Sequence, residues 1–152
     1  MKLAEALLLR GDMQKKLASL KERIARNALA QEGSPAHENS NEMLLEAFGV
    51  VDELSVLLRR INMTNMNSKL PDGRSLTEAL ALRDALEDKH KLLTATVDAT
   101  HKEPERYSMR EVKWVAQVDI SKLQKQRDDF ARQARELNAK IQEANWKIEL
   151  AE

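Results

Sequence analysis

At 152 residues the chain has the length of one domain, 1–152, long enough to bury a core of its own. Its 25 basic and 25 acidic side chains cancel, so no net field draws it to nucleic acid or anionic lipid, and the absence of cysteine excludes disulfides, thiolate nucleophiles and zinc–thiolate sites. Aromatics at 3% and charged residues at 33%, with 4 Gly and 3 Pro, mark long helices and not sheets.

The first residues imitate a secretory leader only briefly, because Glu5 interrupts the apolar run and Arg10 ends it. No stretch reaches the roughly 20 apolar residues of a membrane span, so the expectation is a cytoplasmic protein. From Lys2 to about Glu32, Leu3, Ala6, Met13, Leu17, Leu20 and Ile24 recur at the spacing of a helix seam, while Leu7, Leu8 and Leu9 widen the apolar surface of the first turns. Gly33-Ser34-Pro35 ends this helix and begins a loop.

A second helix is predicted from about Glu42 to Asn65, with Ala47, Val51, Leu54, Leu58 and Ile61 on the seam and Leu44, Phe48, Val50 and Leu57 broadening it. A basic block in the first helix faces an acidic block over Glu38–Glu53 when the chain folds back, which predicts antiparallel pairing with Lys21 near Asp52 and Arg26 near Glu46. Leu70-Pro71-Asp72-Gly73 predicts a tight turn within about 69–75. Ser75 and Glu78 then have the spacing of a capping box for a third helix, which carries Leu76, Leu80, Leu86, Leu93 and Val97 to about Thr100.

Ser108 and Glu111 offer a second box of the same spacing. The β-branched run from Val112 to Ile120 predicts a short strand over about 111–119, with the segment 63–76 as its partner. Asp119 or Ser121 caps the last helix, which runs from Ser121 to the end with Leu123, Phe130, Leu137, Ile141, Ala144 and Ile148 on its seam. The fold class is therefore mainly α: an antiparallel four-helix bundle of long coiled-coil-like helices with a small β element.

Met1-Lys-Leu-Ala-Glu-Ala-Leu7, Arg60-Ile-Asn-Met-Thr-Asn65, Asp72-Gly-Arg-Ser-Leu-Thr-Glu-Ala-Leu80, Tyr107-Ser108, Val118-Asp119, Leu123-Gln-Lys-Gln126 and Ile141-Gln-Glu-Ala-Asn-Trp146 together resemble the septicolysin-like family of bacterial proteins. The resemblance spans nearly the whole chain. It implies a bacterial, mostly helical protein, and its label suggests a haemolysin, but it carries no catalytic residue onto any position. A toxin reading finds no membrane-length apolar stretch or strongly basic amphipathic helix to support it.

Glu87 and His90 have the E-x-x-H spacing of carboxylate-bridged metal sites, but such a site needs a second pair from another helix. The near match, Asp98 and His101, lies on the same helix roughly 16 Å further on, so neither a metal site nor any other cofactor is expected. Arg10, Asn27, Asn62, Asn65, Arg83, Asp84, Asp119 and Asn145 are polar residues at or near seam phases, which fix register or cap helices more often than they bind. Asn62, Asn65, Asp72, Arg74, Arg83 and Asp84, with Asp119, form the one polar concentration that could clamp a small anionic or amide-bearing ligand. The leading expectation is a structural or interaction protein, not an enzyme, that assembles with copies of itself. A small-molecule binder or enzyme using 62–84 and Asp119 is the alternative.

Overall fold

Four helices carry the chain in the computed structural model, which describes residues 1–101 and 113–152: α1 (Leu3–Asn27), α2 (Ser40–Asn67), α3 (Leu76–Ala99) and α4 (Ile120–Lys147). They group into two compact units, Met1–Lys69 with Gln142–Glu152 and Leu70–Ile141.

In the first unit α1 packs against α2. The Lys2 amide donates to the Glu5 carboxylate at 2.6 Å, satisfying a donor that the helix start leaves open. Leu20, Met43, Ala47 and Val50 form a buried cluster, with Met13, Leu17 and Ile24 packed around it. α1 ends at Asn27, five residues before the expected Glu32, because Asn27 is used to turn the chain. Its Nδ2 donates to the Arg23 carbonyl at 2.9 Å and its Oδ1 accepts the Glu38 amide at 3.1 Å. Asn39 then caps α2, its Oδ1 accepting the amides of Asn41 and Glu42 at 3.0 and 3.4 Å. The earlier turn moves the charge register. Lys16 pairs with Glu46 at 2.7 Å and Arg23 with Glu38, in place of the expected Lys21–Asp52 and Arg26–Glu46, while Arg26 pairs with Glu22 of its own helix. The Arg23 guanidinium, hydrogen-bonded to Glu38, holds that carboxyl below the usual range.

Ala47 and Ile61 of the expected α2 seam are buried, and the buried side extends from them towards Val50 and Leu57, which were expected to broaden it. Met43, Ala47, Val50, Leu57, Ile61 and Thr64 are buried, whereas Val51 is 44% exposed and Leu58 only half-buried.

The first unit closes with a clasp between distant parts of the chain. Lys2 and Glu149 form an isolated antiparallel bridge, the Leu3 amide donates to the Ile148 carbonyl at 2.9 Å, and the Leu150 amide donates to the Met1 carbonyl at 2.9 Å. Ala151 is held at both backbone groups: its N–H donates to Thr64 Oγ1 at 2.9 Å and its carbonyl accepts from Arg60 Nε at 2.7 Å. α4 therefore stops at Lys147, and the residues after it are bound to α2 and to the N-terminal segment.

In the second unit the turn is formed as the Pro-Asp-Gly signal requires. Gly73 has φ +87°, its amide donates to the Leu70 carbonyl at 2.9 Å, and the Leu70 amide donates to the Arg74 carbonyl at 2.8 Å. The capping box follows: Ser75 Oγ accepts the Glu78 amide at 3.1 Å and the Glu78 carboxylate accepts the Ser75 amide at 2.7 Å. Leu76, Ala79, Leu86 and Val97 are the buried side of α3, and Ala134 and Leu137 of α4 are buried in the same unit. Lys89 lies over the Phe130 ring, 5.4 Å from its centroid.

Of the expected β element, only isolated bridge positions at Lys69 and Ser75, on either side of the turn, occur among the described residues. Residues 63–67 complete α2, 70–74 are turn, and 113–119 hold no strand. β-branched composition favours a strand only where a neighbour supplies the ladder. Here Trp114 and Val115 stand 75% and 71% exposed, and Gln117 Nε2 donates to the Val115 carbonyl in place of a cross-strand bond. Ser108 and Glu111 lie outside the described residues.

Candidate functional site

Five of the seven polar residues singled out from the sequence, Asp72, Arg74, Arg83, Asp84 and Asp119, have ordinary structural duties. Asn62 and Asn65 stand one turn apart near the end of α2 in the first unit, Asn62 exposed and Asn65 half-buried. The other five belong to the second unit. Asp72 accepts the Arg74 amide at 3.1 Å and its guanidinium at 3.0 and 2.5 Å, which depresses the Asp72 carboxyl and raises Arg74. Arg83 donates twice to Asp84 Oδ1, at 3.1 and 2.8 Å, and once to Asn138 Oδ1 at 3.3 Å. Asp119 caps α4, its Oδ1 accepting the Lys122 amide at 3.1 Å. The structure thus joins Asp72 to Arg74 and Arg83 to Asp84.

Arg83 leads to a place of which the sequence pointed only to Glu87 and His90. Asn138, which it holds, lines an open groove of about 330 Å³ in the second unit, together with Glu87, His90, Arg135 and the small residues Ala131 and Ala134 of α4. Glu87 and His90 of the E-x-x-H pair both face this groove, yet no group of three or more metal-ligating side chains occurs among the described residues. Asn138 had no local signal, since it meets Arg83 from 55 positions away.

The largest unexplained feature is apolar. On the side of α2 away from its buried seam, Leu45, Phe48, Val56, Met63 and Met66 are all exposed, Leu45 at 70%, Phe48 at 60% and Met66 at 68%. Positions 45, 48, 52, 55, 59, 62 and 66 of a helix fall on one stripe by their 3–4 spacing, and here that stripe is opposite to Met43, Ala47, Val50, Leu57 and Ile61. Leu8 and Leu9 of α1, 63% and 41% exposed, add to the apolar surface of the same unit. No helix among the described residues is long and apolar enough to cross a membrane.

A family model described as a family of unknown function (DUF6847) matches residues 10–150. A crystal structure of a functionally unknown conserved protein from Corynebacterium diphtheriae is similar over 99% of this chain and 98% of that one, at 37% identity and a TM-score of 0.90. No curated protein matches the chain. These findings overturn the septicolysin-like resemblance, since no septicolysin or haemolysin family is indicated. The stretches that carried it, such as Ser75-Leu-Thr-Glu-Ala-Leu80, are what a capped amphipathic helix requires on physical grounds, so they discriminate poorly between helical families. The chain belongs to the family of unknown function DUF6847.

Proposed function

We propose that this is an interaction protein which assembles with copies of itself through the outward face of α2, its four helices forming an antiparallel, coiled-coil-like scaffold in the cytoplasm. The observation that carries the reading is the set of exposed large apolar residues, Leu45, Phe48, Met63 and Met66, on the outward side of α2. Leu45, Phe48 and Met66 are 70%, 60% and 68% exposed there, large apolar side chains of the kind that soluble monomers usually cover. Sedimentation equilibrium tests it. The expected result is a mass above one chain that falls to one chain in Phe48→Glu, with the helical circular dichroism of the two proteins the same. A concentration-independent mass of one chain for the unaltered protein would end the proposal.

A second reading, a small-molecule binder, is favoured by the groove of the second unit. Its volume lies at the lower end of the range for small-ligand sites, and Arg83, through Asn138, connects it to the polar residues read from the sequence. A thermal-shift screen of carboxylates and phosphates should then find a stabilising compound whose effect disappears in Arg135→Ala. A ligand held at about 100 times its Kd raises stability by about 2.7 kcal/mol, so a screen without a shift at millimolar concentration would argue against the reading.

A further inference from the structure

The outward face of α2 carries a charge pattern that determines how a second copy can lie on it. Leu45, Phe48, Asp52, Ser55 and Arg59, continued by Asn62 and Met66, repeat at alternating three- and four-residue spacing, and all are exposed. This is the spacing of a helix–helix seam. Asp52 and Arg59 are its two charges, opposite in sign and two turns apart, and neither is engaged in an ion pair among the described residues.

We propose that two copies pair α2 against α2, antiparallel, about a two-fold axis between Ser55 and Val56, so that Asp52 of each copy meets Arg59 of the other. The inference rests on the self-association reading above. A two-fold contact is self-complementary: if position i of one copy meets j of the other, j also meets i. The operation that joins Asp52 to Arg59 also sets Leu45 against Met66 and Phe48 against Met63 of the second copy, matching large apolar groups with flexible thioethers that pack well on aromatic edges. Parallel, in-register pairing would instead set Asp52 on Asp52 and Arg59 on Arg59, which is repulsive at both positions. The stripe from Leu45 to Met66 is about 32 Å long at 1.5 Å per residue, and α1 packs on the other side of α2, where Met43, Ala47 and Val50 are buried with Leu20.

Charge exchange tests the geometry. Asp52→Arg and Arg59→Asp should each weaken the dimer at least ten-fold, and the double exchange should restore it to within about three-fold of the original affinity. Cysteine trapping gives an independent reading, because the chain has no cysteine. Ser55→Cys, beside the axis, should give a disulfide-linked dimer on mild oxidation. Asp52→Cys should not, since its two copies would be offset by about 10 Å along the helices, beyond the reach of a disulfide. Both sites are exposed, and circular dichroism will confirm that the variants keep their fold. Failure of the double exchange to restore, or trapping by Asp52→Cys in place of Ser55→Cys, overturns the pairing even if Phe48→Glu still dissociates the protein. A single-chain mass for the unaltered protein defeats the self-association reading itself.

Discussion

Leu20→Ala should cost about 3 kcal/mol and lower the melting temperature by roughly 10 °C. Leu20 is 1% exposed and sits in the buried cluster with Met43, Ala47 and Val50, between the partly buried Leu17 and Ile24 of its own helix. Truncation to alanine removes the transfer free energy of three carbons and leaves a void that two packed helices can close only in part, which places Leu→Ala losses at about 2–5 kcal/mol. Near 150 residues each kcal/mol moves the midpoint by about 2–4 °C. Phe48→Ala makes the contrast. Although it deletes more carbon, Phe48 is 60% exposed, so its effect on the protomer should stay within about 0.5 kcal/mol. Thermal melts of both variants, made in a Phe48→Glu-type monomeric background for Leu20→Ala, separate folding from association. A loss below about 1 kcal/mol at Leu20 would mean that α1 and α2 do not share this core.

The same contrast explains what could be read in advance. The seam of α1 was legible because its apolar residues after the first turns keep to one period, and Leu3, Ala6 and Leu20 are buried as that period predicts. α2 was legible as a helix but not in phase. Large apolar residues occur on both its sides, so periodicity alone could not distinguish the buried side, with Val50 and Leu57, from the exposed side, with Leu45 and Phe48. The turn at Pro71-Asp72-Gly73 and the Ser75–Glu78 box were read correctly because their signals are local: a positive φ at glycine and a side chain three residues from its amide. The strand expected at 111–119 is not formed over 113–119, the part of it among the described residues, since strand formation depends on a partner that composition does not reveal. Of the polar residues proposed as a ligand clamp, Asp119 caps a helix, and Asp72 and Arg74 pair within a turn. These duties leave the binding assignment of the set as a proposal.

The terminal clasp was illegible, because it joins Lys2 to Glu149 from opposite ends of the sequence, through backbone bonds and through ion pairs of the Glu149 carboxylate with Lys2 Nζ and the terminal ammonium that no local pattern marks. Thr64→Val should expose its energetics. Thr64 is 3% exposed, and its hydroxyl both donates to the Arg60 carbonyl at 2.8 Å and accepts the Ala151 amide at 2.9 Å. Valine keeps the shape and removes both bonds, leaving the Ala151 N–H without its acceptor, a loss on the order of 1–3 kcal/mol. The Arg60 carbonyl suffers less, since it lies within the helix and can keep its backbone partner. The damage should be local before it is global. Residues 148–151 are held by few bonds, so the clasp should open as a unit, and exchange of the Leu3 and Leu150 amides, which donate to Ile148 and Met1, should quicken by about ten-fold for each 1.4 kcal/mol lost. Thr64→Ser retains the hydroxyl and loses only a methyl group, so it should keep the slow exchange at both amides even if it lowers the melting temperature slightly. Equal exchange at Leu3 and Leu150 in Thr64→Val and the unaltered protein would show that the clasp is held by the apolar contacts of the buried Leu3 and Leu150 side chains and not by the hydroxyl.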